Sequence, residues 1–232
     1  MPQKIKNIIT FPTKYSIDEK LKYAQLAYSQ EGEDLVLNRL FDNRHDGIYV
    51  DVEANHPLRF SNTHFFYKKG WRGVNIEPNP ELHKELQDIR KEDANINLGV
   101  STEEGELDYY MFNEPALNTF SKKEADEYLQ KKEYSLIKKI KVEVDTLENI
   151  LSEIPSFKNK TIDFMSVDAE GFDLKVLKSN NFNKNSPTVI LVEILGVGKI
   201  SQVFDNEVYV FLIEKGYDLY LRTGNTFIFK KQ

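Results

Sequence analysis

Apolar positions along the chain follow a helical spacing in some stretches and form short unbroken runs in others, and the switches between the two outline the elements. Ser16 followed by Glu19 is a capping box, in which hydroxyl and carboxylate satisfy free N–H groups at a helix start, and Ile17, Leu21 and Ala24 follow at helical spacing. This predicts a helix over 17–27. Leu35, Val36, Leu37, Leu40 and Phe41 form a second helical stripe, closed by the polar segment 42–47. The first strong strand is 48–52, with Asp51 at its carboxyl end. A helix at 61–69 stopped by Gly70, a strand at 73–76, a helix at 80–90 and a strand at 96–101 follow, and this alternation requires parallel strands with right-handed crossovers. Runs at 107–112 and 140–144 read as an inserted strand pair around a Lys-rich helical stretch at 121–139. A strand at 162–167, a helix at 174–177, a strand at 189–194 and a helix at 203–215 lead to two strands, 217–222 and 226–230, joined by a Gly224-Asn225 turn. The pattern predicts one α/β domain over 1–232. It has an N-terminal helical segment (1–46), a mostly parallel sheet with an antiparallel C-terminal edge, and an insertion (102–145) placed to cap a substrate pocket.

Composition narrows the chemistry. The 232 residues are 40% hydrophobic and 29% charged, enough for one full core. No window reaches the ~18 apolar residues of a membrane span, and the first residues lack the apolar stretch of a signal peptide, so a cytoplasmic address is expected. The absence of cysteine excludes disulfides, thiolate catalysis, iron–sulfur clusters and cysteine zinc sites, leaving oxygen or imidazole ligands for any metal. With 37 acidic and 31 basic residues the net charge is -6, which gives no electrostatic footprint for nucleic acid. A small-molecule partner is expected, and a homo-oligomer is left open.

In an open parallel sheet, ligands bind beyond the carboxyl ends of the strands. Acids collect at those ends here: Asp51, Glu77, Asp168 with Glu170, and Glu193. Any one of them alone could be a turn or cap residue. Glu77 follows the first strand-helix turn by about two dozen residues, where a carboxylate accepts the hydroxyls of an adenosine ribose. The first turn, 51–57, contains no glycine, which disfavours a pyrophosphate and hence an adenosine-dinucleotide oxidoreductase.

Several motifs resemble one family. Tyr28-Ser29-Gln30-Glu31-Gly32-Glu33-Asp34, Tyr49-Val50-Asp51-Val52, Asn55-His56-Pro57, Arg59-Phe60-Ser61-Asn62-Thr63, Gly70-Trp71-Arg72-Gly73, Ile76-Glu77-Pro78-Asn79-Pro80 and Ser166-Val167-Asp168-Ala169-Glu170-Gly171 are similar to the FkbM-type S-adenosylmethionine-dependent methyltransferases. The resemblance implies a Rossmann-like class I methyltransferase fold with a seven-stranded sheet, S-adenosylmethionine as cofactor, and O-methylation of a sugar, nucleotide sugar, glycan or related metabolite. It further implies Asp51 and Asn55 along the methionine part of the cofactor and Ser61 and Asn62 beside the following helix start. Glu77 would meet the ribose, Pro78 and Asn79 the adenine ring, Asp93 the adenine amino group, and Tyr28 and Gln30 would form a lid.

One position departs from the family. Glu53 stands where the pattern Val-Asp-Val-Gly-Ala-Asn has glycine, a residue suited to close cofactor approach and to positive φ. A side chain turned outward, a substitution, or a module with impaired cofactor binding all remain open.

Methyl transfer to an alcohol needs alignment and a way to remove the hydroxyl proton. Asp168, Glu170 and Glu193 can do this by holding a divalent cation such as Mg²⁺, or one of them or His56 can act as base. The base is preferred over the cation, which the resemblance does not impose. The opposing interpretations are a helix-start carboxylate for Glu170, a buried ion pair for Glu193 and a backbone-bonded turn residue for His56. Phe65, Phe66, Tyr67 and Trp71 read as packing aromatics, and the Lys pairs within 121–139 as a solvated helix face.

Overall fold

The computed structural model describes residues 16–157 and 160–232, so the expected N-terminal segment before Ser16 lies outside the described residues. Ten strands and the helices between them form two sheets. After α1 (Ile17–Leu21) and α2 (Glu33–Leu40) come β1 (Ile48–Val52), α3 (His64–Lys69), β2 (Arg72–Ile76), α4 (Pro80–Ile89) and β3 (Ala94–Ile96). β4 (Gly99–Val100), β5 (Gly105–Phe112), α5 (Lys122–Tyr128), β6 (Leu136–Asp145) and α6 (Leu147–Ser152) follow, then β7 (Phe164–Val167), α7 (Asp173–Lys178) and β8 (Val189–Glu193). A 3₁₀ turn (Ile200–Asp205), α8 (Glu207–Glu214), β9 (Tyr217–Thr223) and β10 (Thr226–Lys231) complete the fold.

The main sheet runs β3-β2-β1-β7-β8-β10-β9. β1, β2, β3, β7 and β8 are parallel, and β10 lies antiparallel between β8 and β9. The antiparallel strand is therefore one place in from the edge. This is the Rossmann-like class I methyltransferase architecture. Strand order reverses between β1 and β7, so a crevice opens beyond the carboxyl ends of those two strands.

Both faces of the sheet are covered, which is why the central strands are mostly apolar, with Asp51, Asn75 and Ser166 as buried polar exceptions. Val50 and Val52 of β1 face one cluster with Val74, Ile76, Met165 and Val167, while Tyr49 faces the other with Leu37, Phe66, Trp71 and Phe164. The Gly-Trp-Arg-Gly motif is explained by this second layer. Trp71 is fully buried, and a Cβ at Gly73 would run into the Tyr49 ring.

Several boundaries differ from the sequence pattern. The first helix ends at Leu21, because the stretch to 28 buries no apolar face that would hold it. The strand expected at 96–101 is split, β3 ending the main sheet and β4 joining β5 and β6 in a second sheet of order β4-β6-β5. The stretch expected to be helical to 139 is helical only over Lys122–Tyr128, since residues from Leu136 pair with β5. The helix expected over 203–215 breaks at Asn206, which caps α8 by accepting from the Val208 N–H. Among the described residues, no helix is long and apolar enough to cross a membrane.

Candidate active site

A cleft of about 410 Å³ opens beyond the strand ends, lined by Gln30, Glu53, Asn55, Asp168, Glu170 and Glu193 among others. A side recess places Glu77 next to Glu53, Asn55 and Asp168, and a second recess adds Asn62 beside Gln30 and Glu193. Eight of the expected site residues thus meet in one connected space.

The turn after β1 is built for tight approach. Glu53 and Asn55 both have positive φ, +57° and +53°. A left-handed backbone at position 53 is the reason a glycine suits it. The Glu53 side chain is not turned outward: the residue is 9% exposed, and Oε1 is buried without a hydrogen-bond partner. Burial, reinforced by Glu77 and Asp173, pushes its carboxyl well above the usual range. The recess between it and Glu77 has only about 10 Å³ of room, no more than a single water occupies.

Glu77 is 2% exposed and holds two loops at once. Its Oε2 accepts the Asn55 N–H at 2.6 Å and its Oε1 the Asn79 N–H at 2.8 Å. Burial raises it to about 7 against the pull of those two amides.

The carboxylates of Asp168, Glu170 and Glu193 each offer an oxygen within 4.8 Å of the others. Asp168 sits at the cleft floor, open to the cleft yet surrounded by protein, and desolvation raises it to about 6. Glu170 and Glu193 are pushed up by desolvation and by the neighbouring carboxylates, so a proton resides on this cluster near neutral pH. Glu170 itself has φ +43°. Its turn is pinned by Asp173, which accepts the Ala169 and Gly171 N–H groups, by Thr119, whose hydroxyl donates to the Glu170 carbonyl at 2.8 Å, and by the Tyr128 hydroxyl on the Glu170 carboxylate.

Seven expected site residues are placed elsewhere. Asp51 shares a strand face with Tyr49, away from the cleft, and accepts the Thr63 hydroxyl at 2.6 Å. Ser61 accepts from Arg90, a fully buried arginine that also donates to Tyr49 and to the Pro57 carbonyl. Asp93 precedes β3 and so lies at the amino end of the sheet, opposite the cleft, where it accepts from Gly73 N and Tyr49 Oη; it cannot meet an adenine at the other end. Asn79 caps α4 through the Glu81 N–H, and the Pro78 carbonyl accepts from Asn97, so both act in the loop rather than on the cleft wall. Tyr28 packs edge-on against His64 with ring centroids 4.4 Å apart, leaving only Gln30 of the expected lid on the cleft. His56 is the seventh and is not part of the cleft lining: its Nδ1 accepts the N–H groups of Leu58 and Arg59 and its Nε2 faces Glu85.

The outer wall of the cleft comes from the inserted segment: Glu114, Ala116, Leu117, Tyr128, Lys131 and Tyr134. Sequence reasoning missed these as site residues, although two tyrosines bracketing Lys131 were a visible signal. Arg90 carried no signal, being one polar residue at a helix end.

Over residues 51–219, well over half the chain, the sequence matches the methyltransferase FkbM domain. The chain belongs to the FkbM methyltransferase family. It is an S-adenosylmethionine-dependent methyltransferase. A search of curated protein sequences finds no match. Among solved structures it is similar to the O-methyltransferase TomG from Streptomyces achromogenes in complex with SAM (12% identity, all of both chains, TM-score 0.47). It is also similar to an O-methyltransferase from Bacillus cereus in complex with SAH (13% identity, 97% of this chain and 94% of that one, TM-score 0.43). A TehB-like SAM-dependent methyltransferase from Corynebacterium glutamicum aligns at 10% identity over 92% and 94% of the two chains, TM-score 0.43. The cleft suits the family's cofactor in its donor set, with the amides of Gln30, Asn55 and Asn62 around an acidic floor that favours a cationic sulfonium. Glu53 occupies the space beside Glu77 where the adenosine would enter.

Proposed function

We propose that this methyltransferase acts on a hydroxyl oxygen of a carbohydrate or related polyhydroxylated acceptor. The observation that carries the reading is the three-carboxylate floor facing a wall with the aromatic rings of Phe60, Tyr128 and Tyr134. Such rings stack on the apolar face of a sugar while carboxylates accept its hydroxyl hydrogens. Phe60 is 41% exposed and held at φ +59°, an exposed ring at a strained position. The inserted segment 102–145 is read as the cap of the acceptor pocket.

When bound, S-adenosylmethionine supplies the electrophilic methyl group. With the cofactor bound, its methyl group would pass to the acceptor oxygen, and this chain's part would be to align the two and take the hydroxyl proton on the carboxylate floor. Asp168 is the member best placed to take it, because it opens to the cleft whereas Glu170 is buried and engaged by the Tyr128 hydroxyl. Gln30, Asn55 and Asn62 would hold the methionine end of the cofactor and Glu77 the ribose hydroxyls, which requires the Glu53 side chain to leave the recess beside Glu77.

Incubation with methyl-labelled S-adenosylmethionine and a panel of nucleotide sugars and oligosaccharides tests this reading, with label expected in an ether linkage. Label only in catechol or amine acceptors would overturn it. The buried Glu53 favours one second reading, a methyltransferase-like module with impaired cofactor binding; it predicts no melting shift with S-adenosylhomocysteine.

A further inference from the structure

The cleft floor concentrates negative charge without a counter-charge. Glu53, Asp168, Glu170 and Glu193 share one lining. Two cations reach that lining, and both are engaged elsewhere. Arg59 pairs with Glu114 at 2.7 Å, and Lys131 lies over the rings of Tyr128 and Tyr134. Carboxyl groups gathered this closely either keep protons or take up a cation, and a cation removes the repulsion while leaving them ionised.

Two orphaned atoms point to what is missing. Glu53, nine-tenths buried, turns Oε1 to no donor, and Glu193 Oε2 is likewise buried and unpartnered. Acceptor oxygens gathered in one place, two of them without a donor and only Glu170 met by the Tyr128 hydroxyl, suit a hard cation. Two ligands opposite one another across Ca²⁺ stand ~4.6–5.2 Å apart, and across Mg²⁺ ~4.0–4.2 Å. The Asp168, Glu170 and Glu193 oxygens lie within 4.8 Å of one another, close enough to share one such ion.

We propose that Asp168, Glu170 and Glu193 bind a hard divalent cation at the cleft floor, with Glu53 facing the same ion. This extends the acceptor reading above, since a cation there gives an acceptor hydroxyl an oxygen-binding anchor and lowers its pKa. The backbone prepares the site. Asp168 and Glu170 flank Ala169 in a turn fixed by Asp173, and Glu193 ends the adjacent strand β8, so two ligands come from one pinned turn and the third from its neighbour.

Binding of Mn²⁺ to the full chain, measured by calorimetry and electron paramagnetic resonance with neither cofactor nor acceptor present, tests the proposal. One Mn²⁺ per chain at millimolar concentration or below is expected, with a higher melting temperature in Mn²⁺ than in EDTA. Asp168→Asn with Glu193→Gln should weaken binding at least ~tenfold and abolish the melting shift, whereas Asp108→Asn, far out on β5, should change neither. The double variant removes like-charge repulsion, so its melting temperature in EDTA should match or exceed that of the parent. Absence of Mn²⁺ binding, or binding unchanged in the double variant, overturns the proposal. Because S-adenosylhomocysteine affinity is measured separately, a chain that binds it but not Mn²⁺ loses only the cation. A chain that binds Mn²⁺ but not S-adenosylhomocysteine loses the methyl-transfer reading.

Discussion

Glu77 and Asn55, on neighbouring strand ends and 22 residues apart in sequence, are joined by a 2.6 Å bond from the Asn55 N–H to Glu77 Oε2. The other oxygen of the same carboxylate holds Asn79 N, so one buried side chain ties the turn after β1 to the start of α4. Replacing Glu77 by Ala leaves two amides unsatisfied, at ~1–3 kcal/mol each. Denaturant unfolding should show a loss of that size. Calorimetry should show weaker S-adenosylhomocysteine binding, since the turn carries Glu53 and Asn55. Unchanged affinity with reduced stability would restrict Glu77 to its structural part.

Glu53→Gly removes a non-glycine residue at φ +57°, an orphaned buried oxygen and the side chain that fills the recess beside Glu77. Relief of the left-handed strain alone contributes ~1 kcal/mol. The variant should therefore melt higher in EDTA and bind S-adenosylhomocysteine more tightly, by about tenfold for each ~1.4 kcal/mol gained. No gain in either would show that the turn tolerates the side chain without strain.

Burial holds Asp51 at about 6 and Glu77 at about 7. Each is raised above its unfolded value, so the stability tied to its neutral form is complete below about pH 4 and is lost as pH climbs through the folded value. Within pH 4–7 the chain should become less stable as pH rises. Asp51→Asn should flatten the lower part of that slope, up to pH 6, by on the order of 3 kcal/mol in total. Urea midpoints across this range in EDTA provide the check, and a slope of opposite sign would contradict the burial argument.

If the proton leaves through the carboxylate floor, His56→Ala should alter kcat by no more than about threefold. Asp168→Asn should lower kcat ~10²–10⁴-fold, the usual contribution of a positioned base. The pH-rate profile should lose an ionisation near pH 6 in Asp168→Asn and keep it in His56→Ala. A large loss in His56→Ala would return that imidazole to the chemistry.

The sheet and its functional end were readable because both rest on local rules. Apolar runs ending in Asp51, Glu77, Asp168 and Glu193 mark parallel strands and the side on which ligands bind. What local rules cannot assign is the direction of a side chain on a strand end. Asp51 lies within β1, level with Ser166 of β7, whereas Asp168 follows the end of β7 two residues further on; the first faces Thr63 under α3 and the second the cleft. The resemblance assigns Asp93 to the adenine, yet it directly precedes β3 and so lies at the amino end of the parallel strands, away from the cleft. The inserted wall was hidden for a different reason. Tyr128 and Tyr134 sit among lysines and glutamates in a pattern typical of a solvated helix, and only the pairing of β5 with β6 folds that stretch over the cleft.

The placement of β10 between β8 and β9 has a consequence for how the molecule is made. During synthesis the strand bearing Glu193 emerges well before the segment that must pair with it, and meanwhile its outer edge offers unpaired amides to any passing chain. Nascent molecules arrested before residue 226 should therefore be far more dependent on chaperones than released ones. The final hairpin acts as the latch that turns an aggregation-prone intermediate into a finished enzyme.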